Sequence, residues 1–339
     1  MIGEIWESLR SSTGHGEGIM RHRLLPDAKV GLLAAMRKPG NVPMLIVEIP
    51  TEALPVGFVV PDAGGFSTTL SPDKPGPKGS VLVVLELLES SGEQVFMALV
   101  DDILSRVGPA ETERRAAAEL SLCLNRWQAF FRTHGFRGLS REQQQGLFGE
   151  LLFLREVMVP ASSLDVAILA WTGPTGSNQD FEFAGHAFEV KTTSSNPLSA
   201  IRVSNLRQLD DQCVESLHLV VIELERHENA DGTLPQAVNE MRDLILEWAP
   251  HLAFEFADRL SDYGYLDQHA NHYSSTGYGV RALRVFEVVA LFPRIVEGDV
   301  TSGVGDVKYS ISLPSISEFE QDADNLKAQM GEWFGELGR

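Results

Sequence analysis

The sequence predicts an α/β (α+β) fold in which a mixed sheet is flanked by helices. Apolar residues recur at helical spacing in several stretches, and short apolar runs typical of strands lie between them. One pair of alternating runs meets at a two-residue turn, which is the pattern of a hairpin. Through the middle of the chain the order is helix, strand, hairpin, helix, strand. This alternation favours a sheet with helices packed on its faces.

Residues 1–108 are predicted to form a β-rich module. The segments 38–41 (KPGN) and 90–93 (SSGE) are turn signals between apolar runs, and the second is expected to close a hairpin. The predicted strands are Val30–Met36, Met44–Ile49, Gly57–Val60, Val81–Leu88 and Gln94–Val100. The module contains no polar constellation suited to catalysis, so we interpret it as a recognition or docking module.

Two helices are predicted next. The first begins at Glu111 and ends near Phe131, and the second begins at the capping box formed by Ser140 and Gln143. Four residues of the second helix share one face by their spacing of three and four: Leu147, Glu150, Leu151 and Leu154. Glu150 thus lies in an apolar stripe, where a charge is costly unless it is paired or bound to a metal. The alternative is a snorkelled or arginine-paired glutamate.

A strand, Val166–Trp171, and a turn are predicted to lead into the hairpin of residues 180–192 (DFEFAGHAFEVKT). A two-residue loop at Ala184 and Gly185 pairs Phe183 with His186. Continued outward, this register opposes Phe181 to Phe188 and Asp180 to Glu189. The core side then carries Phe181, Phe188 and Val190, and the polar side carries Asp180, Glu189 and Lys191.

The polar side of the hairpin predicts a metal site. Opposed side chains lie roughly 5 Å apart, and two carboxylates at that distance repel unless a cation lies between them. Carboxylate oxygens suit Mg²⁺, and a neighbouring lysine can orient or help to deprotonate a bound water. This is an arrangement for metal-assisted phosphodiester hydrolysis. The alternative is an ordinary solvated strand face with an ion pair.

After the hairpin, Ser204 is predicted to cap a helix from Asn205 to about Val214, and a buried strand, Leu217–Leu224, follows. The remaining predicted elements are a helix at Leu234–Trp248, strands at Ala282–Phe292 and Val307–Leu313, and an amphipathic helix at Glu318–Leu337.

This order of elements, with its carboxylates and lysine, resembles the PD-(D/E)XK nuclease superfamily. More narrowly, it is similar to the group of PD-(D/E)XK proteins often encoded beside DNA methyltransferases in bacterial defence loci. The motifs that carry the resemblance are GLFGELLFLREV (146–157), DFEF (180–183), FEVKTTSSN (188–196) and VSNLRQLD (203–210). The chain departs from the family pattern at one position, because Gln179 stands where the family has proline.

The resemblance implies a restriction-endonuclease-like core and a role for each site residue. Asp180 and Glu189 would be metal ligands, with the Val190 carbonyl as a third and Glu150 completing the site. Lys191 would be the catalytic lysine, and Gln208 the polar residue that follows the lysine strand. The implied domains are the module 1–108, a nuclease core with its leading helix at 109–230, and a C-terminal α/β extension packing on the core at 231–339.

The residues around the start of the helix predicted from Asn205 are expected to contact DNA. Polar side chains and free backbone N–H groups at a helix start suit phosphate oxygens. The predicted DNA-binding residues are Thr192, Thr193, Ser194, Arg202, Ser204, Asn205 and Arg207. Such contacts position the backbone and carry no base information. The alternative for Arg202 and Arg207 is pairing with acidic neighbours.

Composition and net charge indicate how strongly such a protein would bind DNA and in which compartment it would work. The net charge is −19, which argues against a general nucleic-acid coat and predicts weak nonspecific DNA affinity or dependence on a partner. Cys123 and Cys213 lie outside any CxxC motif, which favours a reducing compartment. No membrane-spanning apolar run or signal pattern is present, so a cytoplasmic protein is expected.

Two functions from different classes remain. One is a Mg²⁺- (or Mn²⁺-) dependent DNA endonuclease of restriction or phage-defence type, acting on DNA with a DNA methyltransferase or ATPase of the same locus as partner. The other is a catalytically silent, nuclease-like subunit that binds DNA or protein in a defence complex. The complete set of Glu150, Asp180, Glu189 and Lys191 favours the first. The oligomeric state stays open.

Overall fold

The computed structural model describes residues 2–12, 17–60, 66–71, 79–88, 92–134, 138–195, 200–228 and 231–337. The chain divides into two compact units, Met1–Gly138 and Leu139–Arg339. These limits differ from the predicted domains 1–108, 109–230 and 231–339. The long helix Glu113–His134, predicted to lead the nuclease core, packs on Glu93–Val107 and lies in the first unit. Asn196 of the FEVKTTSSN motif lies outside the described residues.

The described residues of the first unit form one antiparallel sheet and three α-helices. Its elements are α1 (Ile2–Ser11), β1 (Gly18–Leu24), β2 (Gly31–Lys38), β3 (Val42–Pro50), β4 (Phe66–Ser71), β5 (Ser80–Leu87), α2 (Glu93–Val107) and α3 (Glu113–His134). The strand order is β1-β2-β3-β5-β4. The predicted strands at β2, β3 and β5 are confirmed, and so is the helix at α3.

Two predicted strands of this unit are wrong. Gln94–Val100 lies within α2, whose buried residues recur at helical spacing through Val95, Leu99 and Ile103. The seven-residue window was too short to separate this periodicity from that of a strand. Gly57–Val60 is irregular and joins no strand.

The second unit holds the predicted hairpin. Its elements are α4 (Arg141–Phe153), α5 (Val159–Ala161), α6 (Leu164–Ala170), β6 (Phe181–Phe183), β7 (His186–Thr193), β8 (Ala200–Val203), β9 (Ser216–Glu228), α7 (Leu234–Trp248), α8 (Ala253–Tyr263), α9 (Ala270–Tyr273), β10 (Thr276–Glu287), β11 (Tyr309–Ser312), β12 (Glu320–Gln321) and α10 (Ala323–Leu337). A π-helical turn, Leu154–Met158, joins α4 to α5. The predicted helix at α7 is confirmed with both of its ends. The predicted elements at β9, β10, β11 and α10 are confirmed with at least one end that differs.

The main sheet of this unit is mixed, in the order β12-β10-β9-β7-β6. β7 pairs antiparallel with β6 and parallel with β9. The predicted hairpin register is confirmed, with Phe183 opposite His186 and Phe181 opposite Phe188. Ala184 and Gly185 both have positive φ angles, 47° and 87°. Positive φ at both loop residues is the requirement of a type I′ turn, whose twist matches that of the strands.

Both faces of the hairpin are covered. Phe181, Phe188 and Val190 are buried in the core that includes α4, as predicted. The opposite face, which carries Ala187, packs under the two-stranded β8–β11 layer through Ile201. The alternative of an ordinary solvated strand face is therefore not what the structure has, since Glu189 on this side is fully buried. Groups on that face lie between two layers of the structure.

Two further predicted elements are wrong. The apolar run Val166–Trp171 lies mainly in α6, whose N-cap is Ser163, and only Trp171 makes an isolated bridge to Phe181. The helix predicted from Asn205 is a single 3₁₀ turn, Leu206–Leu209. Asn205 caps this turn, where Ser204 was predicted to cap a longer helix.

No helix within the described ranges is long and apolar enough to cross a membrane.

Replacing Gly149 with alanine should destabilise the second unit. A Cβ at this position would lie 2.0 Å from Thr192 Cγ2, so α4 could not keep its close approach to β7. Overpacking of this kind typically costs about 1–3 kcal/mol, which chemical denaturation would measure.

The control for Gly149→Ala is Gly331→Ala on α10, where a Cβ would meet no heavy atom within 4 Å. That change should be neutral or slightly stabilising. Thr192→Ser removes the opposing methyl group and should restore much of the stability of Gly149→Ala. No restoration would contradict the proposed contact.

Candidate active site

Glu150 reaches the site from the buried face of α4. The predicted capping box sets the start of this helix, since Ser140 Oγ accepts from the Gln143 N–H at 3.2 Å and Gln143 Oε1 accepts from the Ser140 N–H at 2.9 Å. Glu150 is buried, and its Oε2 accepts a hydrogen bond from Trp171 Nε1 at 2.8 Å. The Tyr263 hydroxyl donates to the same carboxylate. The Glu150 side chain is thus fixed by two aromatic donors.

Asp180 lies just before β6 and is held by both main chain and side chain. Its carbonyl oxygen accepts from the N–H groups of Thr172 and Gly173, each at 2.9 Å. Its Oδ2 accepts from the Val190 N–H at 2.7 Å. A Cβ on Gly173 would lie 3.0 Å from Asp180 Oδ1, so the turn can pack this closely only with glycine. The carboxylate is thereby directed towards β7.

Glu189 and Lys191 form a buried ion pair on β7. Glu189 Oε1 accepts from Lys191 Nζ at 2.5 Å, and Glu189 Oε2 is buried with no hydrogen-bond partner. Lys191 Nζ also donates to Gln208 Oε1 at 3.1 Å. That amide oxygen accepts in addition from the Ser204 N–H at 2.8 Å. The ammonium group is therefore held between a carboxylate and an amide.

The pKa values of the carboxylates are raised by this environment. Burial raises the pKa of Glu189 to about 8, repulsion from Asp180 adds to this, and Lys191 opposes it. Burial and then Asp180 hold the pKa of Glu150 well above its usual range, against the bond from Trp171. Burial also raises the pKa of Asp180, partly offset by Lys191 and by the Val190 N–H.

The pKa of Lys191 moves the other way from that of an ordinary buried amine. Burial alone would lower it, but attraction to Glu189 and Asp180 outweighs burial and raises it. Lys191 is therefore an ammonium at neutral pH. With all four groups ionised, three carboxylates and one ammonium would leave two negative charges uncompensated, a state that low-dielectric surroundings strongly disfavour. Protons or a divalent cation must balance them.

The donor atoms present fit a small hard cation. Within the described ranges no three His, Cys, Asp or Glu side chains converge as a ready-made metal cluster. Mg²⁺ does not require one, because it keeps several waters and takes one or two carboxylates. The unpartnered Glu189 Oε2 and the adjacent Asp180 carboxylate supply oxygen of that kind. The Val190 carbonyl and Glu150 are further oxygen donors.

The predicted DNA-binding residues are only partly brought together. Thr192 and Thr193 end β7, Ser194 follows them, and Arg202 is exposed on β8. The expectation of free N–H groups is wrong for three residues. The Ser204 N–H is bonded to Gln208, and the N–H groups of Arg207 and Gln208 both donate to Asn205 Oδ1.

Of the two predicted phosphate-contacting arginines, Arg207 already has a partner. Its Nε donates to Glu297 Oε1 at 2.6 Å, and both side chains are exposed. The acidic neighbours considered from sequence are not that partner, since Asp211 pairs with Arg294 at 2.7 Å. Within the described part of the chain Arg202 has no ion pair.

Three polar or aromatic residues of the site were not found from sequence. Trp171 was assigned to a strand, and Tyr263 lies far along the chain with no motif around it. Gln179 was noted only as a missing proline, yet it is 5% exposed and hydrogen-bonded. One signal was available for Tyr263: Gly146, in the GLFGE segment, where a Cβ would lie 2.8 Å from the Tyr263 hydroxyl.

A comparison with known families covers nearly the whole chain. A family model described as “Putative PD-(D/E)XK family member, (DUF4420)” matches residues 2–314. No curated protein and no solved structure matches the chain. The matched residues include every candidate site residue discussed above.

The stability of the chelator-treated protein should fall as pH rises from about 4.5 towards 8. The pKa of Glu189 is raised from 4.5 to about 8, so the folded state holds the proton more tightly than the unfolded chain does. The contribution of Glu189 to the free energy of unfolding is fully present below the unfolded pKa of 4.5 and is lost between 4.5 and about 8. Above that pH it no longer changes. The pKa values of Glu150 and Asp180 are shifted in the same direction. Urea denaturation at several pH values measures the slope.

Glu189→Gln should reduce that slope, because it removes one of the three titrating carboxyl groups. Adding Mg²⁺ to the wild-type protein should stabilise it more at pH 8 than at pH 6, since metal binding displaces protons. Parallel pH curves for wild type and Glu189→Gln would mean that Glu189 is already ionised at neutral pH in the folded protein.

Proposed function

Because the chain belongs to the family of PD-(D/E)XK members described by that model, we propose that it is a Mg²⁺- or Mn²⁺-dependent DNA endonuclease. The observation that carries the proposal is the buried cluster of Glu150, Asp180, Glu189 and Lys191. A strand lysine bonded to a carboxylate that keeps one oxygen unpartnered has no role in a scaffold. Burying unpaired charge destabilises a fold, so the cluster is best understood as a site for chemistry.

Asp180 and Glu189 would hold the cation, with the Val190 carbonyl and Glu150 as further ligands. When bound, such a cation supplies charge neutralisation at a phosphate and lowers the pKa of a bound water. The Trp171 and Tyr263 donors keep the Glu150 carboxylate in one orientation. These residues bind and orient, and burial excludes bulk water from them.

Lys191 acts as a hydrogen-bond donor in this proposal. Its raised pKa keeps it protonated at neutral pH, so it is suited to orienting the attacking water or the scissile phosphate and poorly suited to accepting a proton. Glu189 Oε1 and Gln208 Oε1 hold the ammonium from two directions. This supports positioning as its role.

The biological setting follows from the sequence resemblance. Restriction or phage defence is the proposed role, with a DNA methyltransferase or ATPase of the same locus as partner. The net charge of −19 supports dependence on a partner for DNA affinity. The same charge favours the second candidate, a catalytically silent DNA- or protein-binding subunit. An assay of duplex DNA cleavage with Mg²⁺ and the neighbouring gene products distinguishes the two candidates, because only the first should cleave.

Lys191→Ala and Asp180→Asn should fail in different ways. Lys191→Ala should lose roughly 10²–10⁴-fold in cleavage rate yet keep Mn²⁺ binding, because the lysine is not a ligand. Asp180→Asn should lose both cleavage and Mn²⁺ binding while folding normally, since it relieves like-charge repulsion. Cleavage assays and Mn²⁺ titration measure the two properties.

Lys327→Ala on α10 is the control for Lys191→Ala and should retain full activity. Loss of Mn²⁺ affinity in Lys191→Ala equal to that in Asp180→Asn would contradict the role given to the lysine.

Arg202→Ala and Arg207→Ala should weaken DNA binding about equally for all sequences. Removing one arginine–phosphate interaction should flatten the salt dependence of binding by roughly one unit of slope. The loss of DNA affinity should be smaller for Arg207→Ala than for Arg202→Ala, because Arg207 must first break its ion pair with Glu297. Binding isotherms across a salt series measure both. An unchanged slope in the double variant would leave the two arginines as surface residues that do not touch DNA.

A further inference from the structure

Gln179 is a buried polar side chain directly before Asp180. Only 5% of it is exposed, which is unusual for a glutamine. Its Nε2 donates to the carbonyl oxygens of Arg207 at 2.9 Å and Asp210 at 3.4 Å. Both acceptors belong to the 3₁₀ turn Leu206–Leu209 or follow it directly. One side chain therefore joins the segment entering β6 to a turn that lies about 30 residues further along the chain.

That turn is short, and side chains outside it supply much of its hydrogen bonding. It has four residues, and short 3₁₀ segments have poor hydrogen-bond geometry. Side chains from elsewhere support it: Asn205 caps its first N–H groups, and Arg294 donates to the carbonyl of its last residue at 2.9 Å. Gln179 donates to the Arg207 carbonyl oxygen, which also accepts from the Asp210 N–H at 3.2 Å, and to the Asp210 carbonyl oxygen just after the turn.

The turn carries Gln208, which contacts the lysine of the site. Gln208 Oε1 accepts from Lys191 Nζ and from the Ser204 N–H. Gln179 is thus linked to the ammonium group by its hydrogen bond to the Arg207 carbonyl oxygen, the covalent step from Arg207 to Gln208, and the hydrogen bond from Lys191 to Gln208. This path does not pass through the carboxylates of Asp180 or Glu189.

We propose that Gln179 is a positioning residue that fixes the Gln208 turn and, through it, the orientation of the Lys191 ammonium. The effect on catalysis rests on the proposed nuclease function. An amide is suited to this place because it is an uncharged donor of the right length. Proline, which the family pattern has here, offers no donor, and glutamate would present oxygen to two carbonyl oxygens.

Hydrogen exchange tests the structural part of the proposal without any activity. Gln179→Met keeps the side-chain length and removes the donor. Amide exchange at Ser204, Arg207 and Gln208 should become faster, while exchange in the β7–β9 ladder stays unchanged. Unchanged exchange at these three amides would overturn the proposal. Should Gln179→Met not fold, Gln179→Asn replaces it, and the shorter donor should give the same local loss.

The matched control is Gln144→Met. Gln144 is a half-buried glutamine at the start of α4, and its Nε2 likewise donates to a carbonyl oxygen, that of Leu139 at 2.9 Å. The chemical change is the same and the turn is not involved. Exchange at Ser204, Arg207 and Gln208 should be as in wild type.

A double-mutant cycle tests the catalytic part. Gln179→Met should lower the cleavage rate roughly tenfold with the Mn²⁺ concentration for half-maximal activity unchanged, as for loss of a residue that orients a ligand or catalytic group. Gln179→Met combined with Gln208→Ala should be no slower than Gln208→Ala alone. If the two losses in cleavage rate multiplied in the double variant, Gln179 would act independently of Gln208, and the proposed path would be overturned. If the wild-type protein does not cleave DNA, the proposed function fails, and hydrogen exchange still decides the positioning role.

Discussion

The structure of the second unit depends on one electrostatic constraint: three carboxylates and one ammonium share a buried region. Each carboxylate arrives from a different element, Glu150 from α4, Asp180 from the start of the hairpin and Glu189 from β7. Ionisable groups this close together cannot all be charged in a low-dielectric interior unless other groups compensate the charge. The structure supplies part of it through Trp171, Tyr263, the Val190 N–H and Lys191. The remainder must come from protons or from a cation.

The packing of the layers creates this constraint. Gly149 allows α4 to lie close to β7 at Thr192, and Glu150 is the next residue of that helix. On the other face the β8–β11 pair covers the strand and removes Glu189 from water. A single-layer hairpin would have left the same carboxylates solvated, with ordinary pKa values. The depth of the site therefore comes from the second layer.

The sequence predicted those parts of the site that depend on local rules. A two-residue loop and a period of two set the register of Phe181 opposite Phe188, and a capping box set the start of α4. Short apolar runs such as Val166–Trp171 are ambiguous between helix and strand, and the Ser163 cap was overlooked. The contacts of Gln179 depend on tertiary geometry, to which no local pattern points. The layer that buries Glu189 was missed for the same reason.

The turn carrying Gln208 illustrates how the site is held. Its position is set by side chains from outside it, which hold carbonyl and N–H groups that a longer helix would have satisfied internally. Those bonds occupy the N–H groups that were expected to meet phosphate. The residues that hold the lysine therefore leave fewer free N–H groups at this turn.

The central claim, that protons on buried carboxylates give way to a divalent cation, is tested most directly by calorimetric titration with Mn²⁺ at pH 7. Titrations in two buffers of different ionisation enthalpy count the protons released for each ion bound. Because burial raises the pKa of Glu189 to about 8 and holds that of Glu150 well above its usual range, the three carboxyl groups together hold about one proton at this pH. Release of about one proton for each ion is therefore predicted. Binding without proton release, or no binding, would contradict the account.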